Sequence, residues 1–182
     1  MEYLIRFLSY IIRNLFVIAI VTTLIVVSFF IAMNASNIFI LLNDGLEKRA
    51  SVILLKEDAN ELNKFFTEEF LAEDNLLKQN EYIDFFIRSF DHQVSIQWMW
   101  NWPWSNKATA TVIERVKNID GELPDEKKSD EDQKNKKKIP PPEWKNAKYK
   151  LLLVKEGIAW KIDKMVFLET VVDKDAKEVA KE

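Results

Sequence analysis

Three regimes of hydrophobic patterning divide the chain. From 14 to 43 no side chain is charged, and 15–33 is apolar apart from Thr22, Thr23 and Ser28. Those hydroxyls can bond back to helix carbonyls. The nineteen residues of 15–33, rising ~1.5 Å each, reach ~28 Å, about one hydrocarbon core. The pattern predicts a transmembrane helix over 14–43. It is too long for the core of a cleaved signal peptide, and the apolar stretch 38–42 follows at once. Residues 1–13 are amphipathic and predict an interfacial segment, with Tyr3 and Tyr10 at headgroup depth. Residues 44–57 predict a juxtamembrane helix continuing the anchor, with Asp44-Gly45 as a possible interruption.

The second regime is helical. Asp58 is a good N-cap and Glu61 follows three residues later, as in a capping box. Leu62, Phe65, Phe66 and Phe70 then share one helical face, with Asn63, Lys64, Glu68 and Glu69 opposite. This predicts an α-helix packed on a core.

The third regime alternates. Residues 82–90 fit a short helix or a strand, the strand being preferred. From 92 to 100, His92, Val94, Ile96, Trp98 and Trp100 fall on one face of a predicted strand. Residues 101–106 form a turn containing Pro103, and 107–116 alternate again. Asp120-Gly121 marks a turn. Residues 120–142, charged and then proline-rich, cannot bury enough apolar surface to offset ordering and predict a disordered hairpin loop. Residues 148–155 and 158–168, joined through Gly157, predict a β-hairpin. Residues 171–182 form a short charged tail.

One domain, 58–170, therefore follows the anchor. From Asp44 onward there are 24 Lys+Arg against 28 Asp+Glu, which leaves no basic footprint for nucleic acid. Arg6 and Arg13 precede the span; Lys48, Arg49 and Lys56 follow it. The expected topology is N-terminus cytoplasmic and domain extracytoplasmic, a single-pass protein of the cell membrane. The chain has no cysteine. That excludes thiol nucleophiles and Cys-ligated metal, and for an outside domain fits a Gram-positive surface. Asn34-Ala35-Ser36 matches a glycosylation sequon, discounted in that setting.

The order of a helix, a connector and an antiparallel meander ends in Gly157-Ile158-Ala159-Trp160-Lys161-Ile162. Over 58–168 this resembles the nuclear transport factor two-like (cystatin-like) superfamily, in its membrane-anchored extracytoplasmic form. The resemblance implies an α+β fold: one N-terminal transmembrane helix, then a helix packed in the concavity of a curved, cone-like antiparallel sheet. It departs from the superfamily in its short helical run and enlarged hairpin. The superfamily holds isomerases, dehydratases and cyclases beside non-catalytic domains. The anchored members resemble scaffolds of secretion, conjugation and sporulation machinery.

Candidate chemistry is sparse. An acid–base pair in the cone would draw on His92, the sole histidine, with Asp84 or Asp163. Asp91 beside it would face the opposite way on a strand. No metal-ligand spacing, phosphate loop or nucleophile elbow is present, and no cofactor is expected. The most unusual feature is Trp98, Trp100, Trp102 and Trp104 within seven residues. These indoles can roof the core, dock a protein, enter lipid headgroups or stack on a sugar polymer. The reading adopted is a non-catalytic scaffold or accessory subunit of an envelope complex, with the bilayer and a protein partner as partners and a homo-oligomer as an option. The alternatives are a ligand or wall-polymer sensor, and a lyase or isomerase using His92.

Overall fold

The computed structural model describes residues 2–78, 81–127 and 138–172. Its first element, α1 (Glu2–Leu55), is a single helix of 54 residues, roughly 80 Å long. It is long and apolar enough to cross a membrane. Thr23 Oγ1 donates 2.8 Å to Ala19 O, so that hydroxyl is satisfied within the helix.

The two halves of α1 meet different surroundings. Its first half is exposed, with Leu15, Phe16, Leu24, Ile25 and Phe29 all uncovered. From Asn34 onward one stripe is buried: Ile38, Leu42, Leu46, Arg49, Ala50, Ile53 and Leu54. These positions recur at three- and four-residue spacing, one face of a helix. The helix runs without a break through Asp44 and Gly45. Gly45 is buried because Phe65 packs on it; a β-carbon there would lie 3.1 Å from Phe65 Cβ. The small residue marks a close approach, and the helix continues the anchor as expected, without an interruption. The helix ends at Leu55, and Lys56 after it has a left-handed φ of 59°.

Four strands follow: β1 (Phe86–Asn101), β2 (Lys107–Glu122), β3 (Ala147–Glu156) and β4 (Ala159–Thr170). They form one antiparallel sheet in the order β1-β2-β3-β4. With α1 on one face, the fold is α+β. Ile38, Leu42 and Leu46 pack with Ala110, Val112, Leu151, Ile162 and Phe66. A second cluster joins Ala50, Ile53 and Leu54 to Tyr82, Ile87, Val116 and Trp144. Each fully buried Leu or Ile contributes ~1.5–3 kcal/mol relative to an exposed one. The second half of α1 is thus the core helix of the domain.

The helix expected from Asp58 takes another form. Asp58 does cap, accepting from Asn60 N, but it opens a 3-10 turn over Ala59–Lys64. The chain then leaves the helical path after Phe65, and Phe65 and Thr67 hydrogen-bond with β4. Ile162 N donates to Phe65 O at 2.8 Å and Thr67 N to Ile162 O at 3.0 Å. Thr67 next caps α2 (Glu68–Glu73), accepting from Phe70 N, and α3 (Asn75–Lys78) follows. Leu62, Phe66 and Phe70 are buried as the pattern required. No single helix carries them, because two tertiary backbone bonds override the local periodicity.

Asp120 and Gly121 belong to β2, paired with Ser89 and Ile87, so no turn stands there. Of the loop expected over 120–142, Asp125–Lys127 form a 3-10 turn and Leu123 N donates to Ile139 O at 3.1 Å. Residues 128–137 and most of the predicted tail lie outside the described residues. The closing hairpin is as expected, turning at Gly157 with φ 62°.

Candidate functional site

Two regions carry unusual chemistry. The first is the β1–β2 hairpin tip. Along β1 the inward face holds His92, Val94 and Ile96. Ile96 pairs with Val112 and Trp98 with Thr111, so Gln97 is an extra residue, a β-bulge. The parity of side chains reverses beyond it. Met99 then packs against the core and Asn101 is buried. Trp98, Trp100, Trp102 and Trp104 are 52%, 50%, 45% and 72% exposed. Strict alternation had placed Trp98 and Trp100 on the inward face with His92; the bulge turns them out, and they do not roof the core.

The four indoles form a continuous ladder. Ring centroids are 6.4 Å apart for Trp98–Trp100, 5.3 Å for Trp100–Trp102 and 5.1 Å for Trp102–Trp104. The first and last pairs stack and the middle pair meets edge to face, both favourable arrangements. The hairpin is fixed to α1 by Asn101, whose Nδ2 donates to Ile31 O at 3.4 Å.

The second region is a buried polar island between α1 and the sheet. Arg49 Nε donates to Asp74 Oδ2 at 2.6 Å and Nη2 to Oδ1 at 3.1 Å, a two-pronged pair. Glu114 lies in the inward row of β2 with Ala110 and Val112, and none of its side chain is exposed. His92 Nε2 is 3.3 Å from Glu114 Oε1. Glu114 Oε2 and Arg49 Nη1 have no hydrogen-bond partner among the described residues. Burial alone would favour discharging Arg49. The Asp74 hydrogen bond, then the charges of Asp74 and Glu114, outweigh it and hold the guanidinium above its ordinary pKa. The Tyr149 phenol is pushed up to about 12, by burial first and the Glu114 charge second.

An open cleft of about 380 Å³ borders the island, lined by Arg49, Phe70, Asp74, Tyr149, Asp163 and Met165 among others. Asp163 therefore faces a cleft, accepting from Thr67 Oγ1 at 3.4 Å. Asp84 is exposed and ion-paired to Lys127. Neither carboxylate meets His92; the structure brings Glu114 to it instead. The antiparallel register places Val94 opposite Glu114 and His92 opposite Val116, so the two are diagonal neighbours. That pairing was the signal in the sequence, but it needed the register to be read. The His92–Glu114 contact is sealed from solvent, with side chains 5% and 0% exposed. Among the described residues no three His, Asp or Glu side chains converge as a metal site requires. Asn34 is buried against the domain, a poor glycan acceptor.

No family model, no curated protein and no solved structure matches this chain.

Proposed function

We propose that the chain is a single-pass membrane protein holding a non-catalytic, cone-like domain of nuclear transport factor two-like form outside the cytoplasmic membrane. There it acts as a scaffold or accessory subunit of an envelope complex. The observation that supports this best is the division of α1. The same helix is exposed and apolar through Met33 and becomes the core of the domain from Asn34. With no linker between them, the domain cannot swivel on its anchor. A rigid mount suits a part that must present one surface in a fixed orientation.

The outer edge of β4 is a suitable surface for a protein partner. Phe66 already uses that edge at Ile162, in a parallel bridge. Beyond it Val166, Phe167 and Leu168 are exposed. An unpaired strand edge with apolar side chains accepts an added strand readily. The sealed His92–Glu114 pair weighs against the lyase or isomerase reading, since substrate would have no access. The cleft beside Arg49 keeps a ligand sensor as the second reading.

The test is gentle detergent extraction of the tagged full-length chain, with sizing and identification of what travels with it. A defined subunit or homo-oligomer is expected, lost when Val166 and Leu168 are both changed to Lys while the domain stays folded. A lone monomer would overturn the scaffold reading and move attention to ligands for the cleft.

A further inference from the structure

The tryptophan ladder sits at one particular end of the domain. Asn101 is bonded to Ile31, two residues inside the end of the apolar run at Met33. The β1–β2 turn therefore lies level with the last part of α1 that is apolar all round. A second turn lies at the same end. Lys155 N donates to Asn106 O at 2.9 Å, and Lys107 pairs with Val154. The β3–β4 turn is thereby held beside the first, and its Ile158 is 95% exposed. The opposite end of the sheet carries Ile87, Val116 and Trp144, packed around Ile53 and Leu54 near the far end of α1.

Charge at the two turns is mainly basic. Lys107, Lys155 and Lys161 lie in the strand ends that flank the two turns. The only acid among residues 101–107 and 155–161 is Glu156, paired with Lys161 at 2.7 Å. Indoles joined to lysines suit a bilayer surface: the rings enter the headgroup layer, and the ammonium groups meet lipid phosphates.

We propose that the two hairpin turns form a foot that seats the domain on the bilayer around α1, with anionic phospholipid as its ligand. This rests on α1 spanning the membrane. Trp102, Trp104 and Ile158 enter deepest. Trp100 and Trp98 climb outward along β1 at roughly 3.3 Å per residue, so the ladder grades from the acyl boundary to the outer headgroups. The Gln97 bulge has a function on this account: it turns Trp98 and Trp100 away from the core and toward lipid. The exposed surface of α1 and the foot then form one continuous apolar contact with the leaflet. Rotation of the domain about α1 is blocked at the two turns.

The test uses the full-length chain reconstituted in vesicles of phosphatidylcholine and phosphatidylglycerol, with bromine on the acyl chains near the headgroup. Co-flotation reads the spanning helix and quenching of tryptophan emission reads the foot. The expected result is co-flotation with strong quenching. Most of that quenching is lost in the Trp102→Phe/Trp104→Phe variant and unchanged in Trp144→Phe, whose indole is buried. In vesicles of phosphatidylcholine alone, shallower quenching is expected, as in Lys107→Gln/Lys155→Gln. Co-flotation without quenching of the exposed indoles overturns the foot and leaves the anchor standing. Quenching that appears only after a co-purifying protein is stripped away also overturns it, assigning the ladder to that protein. Failure to float overturns the spanning helix itself. Circular dichroism on each variant separates loss of contact from loss of fold.

Discussion

Arg49 is the residue on which the interior electrostatics depend. It places a guanidinium under the sheet, satisfied in part by Asp74 and facing Glu114. Removing one partner of a buried pair leaves the other charge uncompensated, at a cost of about 3–5 kcal/mol. Arg49→Ala should therefore lower stability by that order, measured by denaturant unfolding of the solubilised chain, whereas Glu114→Gln should cost far less. Tyr149 adds a pH dependence. Its folded pKa of about 12 lies above the ordinary value of 10.0, so folding favours the protonated phenol. That contribution is fully present below pH ~10 and is lost as pH rises through the folded value. Stability should fall across that alkaline window, and Tyr149→Phe should flatten the fall; an unchanged slope would assign it to other groups. Of this cluster only His92, on one strand face with Val94 and Ile96, was legible beforehand. Glu114 stands in an alternating strand with no visible partner until α1 supplies Arg49 and the register supplies His92.

Elements were legible where their own periodicity decided them and illegible where a neighbour did. The β3–β4 hairpin and the start of β2 were plain from alternation and Gly157. The bulge at Gln97 was not, because no local residue announces it, and it reversed the expected facing of Trp98 and Trp100. The helix expected over Leu62–Phe70 gave way to hydrogen bonds with Ile162, 92 or more positions away. In α1 the buried stripe is hidden because residues 38–42 are apolar on every side. A glycine at position 45 could interrupt a helix, yet here it is a contact point. Gly45→Leu should press on Phe65 and cost about 1–3 kcal/mol, the usual penalty for overpacking. Thermal unfolding would show a lowered midpoint. Combining it with Phe65→Ala should recover part of the loss, which a purely helical effect of position 45 would not allow.

At the scale of the whole molecule, α1 joins a stretch long and apolar enough to cross a membrane to the core of the domain in one helix, which opens a transmembrane arrangement to a direct test. Among the described residues α1 is the only helix long and apolar enough to cross a bilayer. If it crosses, Tyr3 and Asn63 lie on opposite sides, since Tyr3 precedes the span and Asn63 follows the far end of α1. Both residues are exposed, and the chain has no cysteine, so each can be changed alone to Cys without background. With the N-terminus inside, a membrane-impermeant maleimide added to intact cells should label Asn63→Cys and leave Tyr3→Cys untouched until the membrane is opened. The reverse pattern would keep the span and invert the topology, placing the domain in the cytoplasm. Labelling of both from outside would show that the helix does not cross. The rigid rod then gives the outcome a spatial meaning: whichever side carries Asn63 also carries the sheet, the cleft beside Arg49 and the free edge of β4, all held at one fixed orientation to the bilayer.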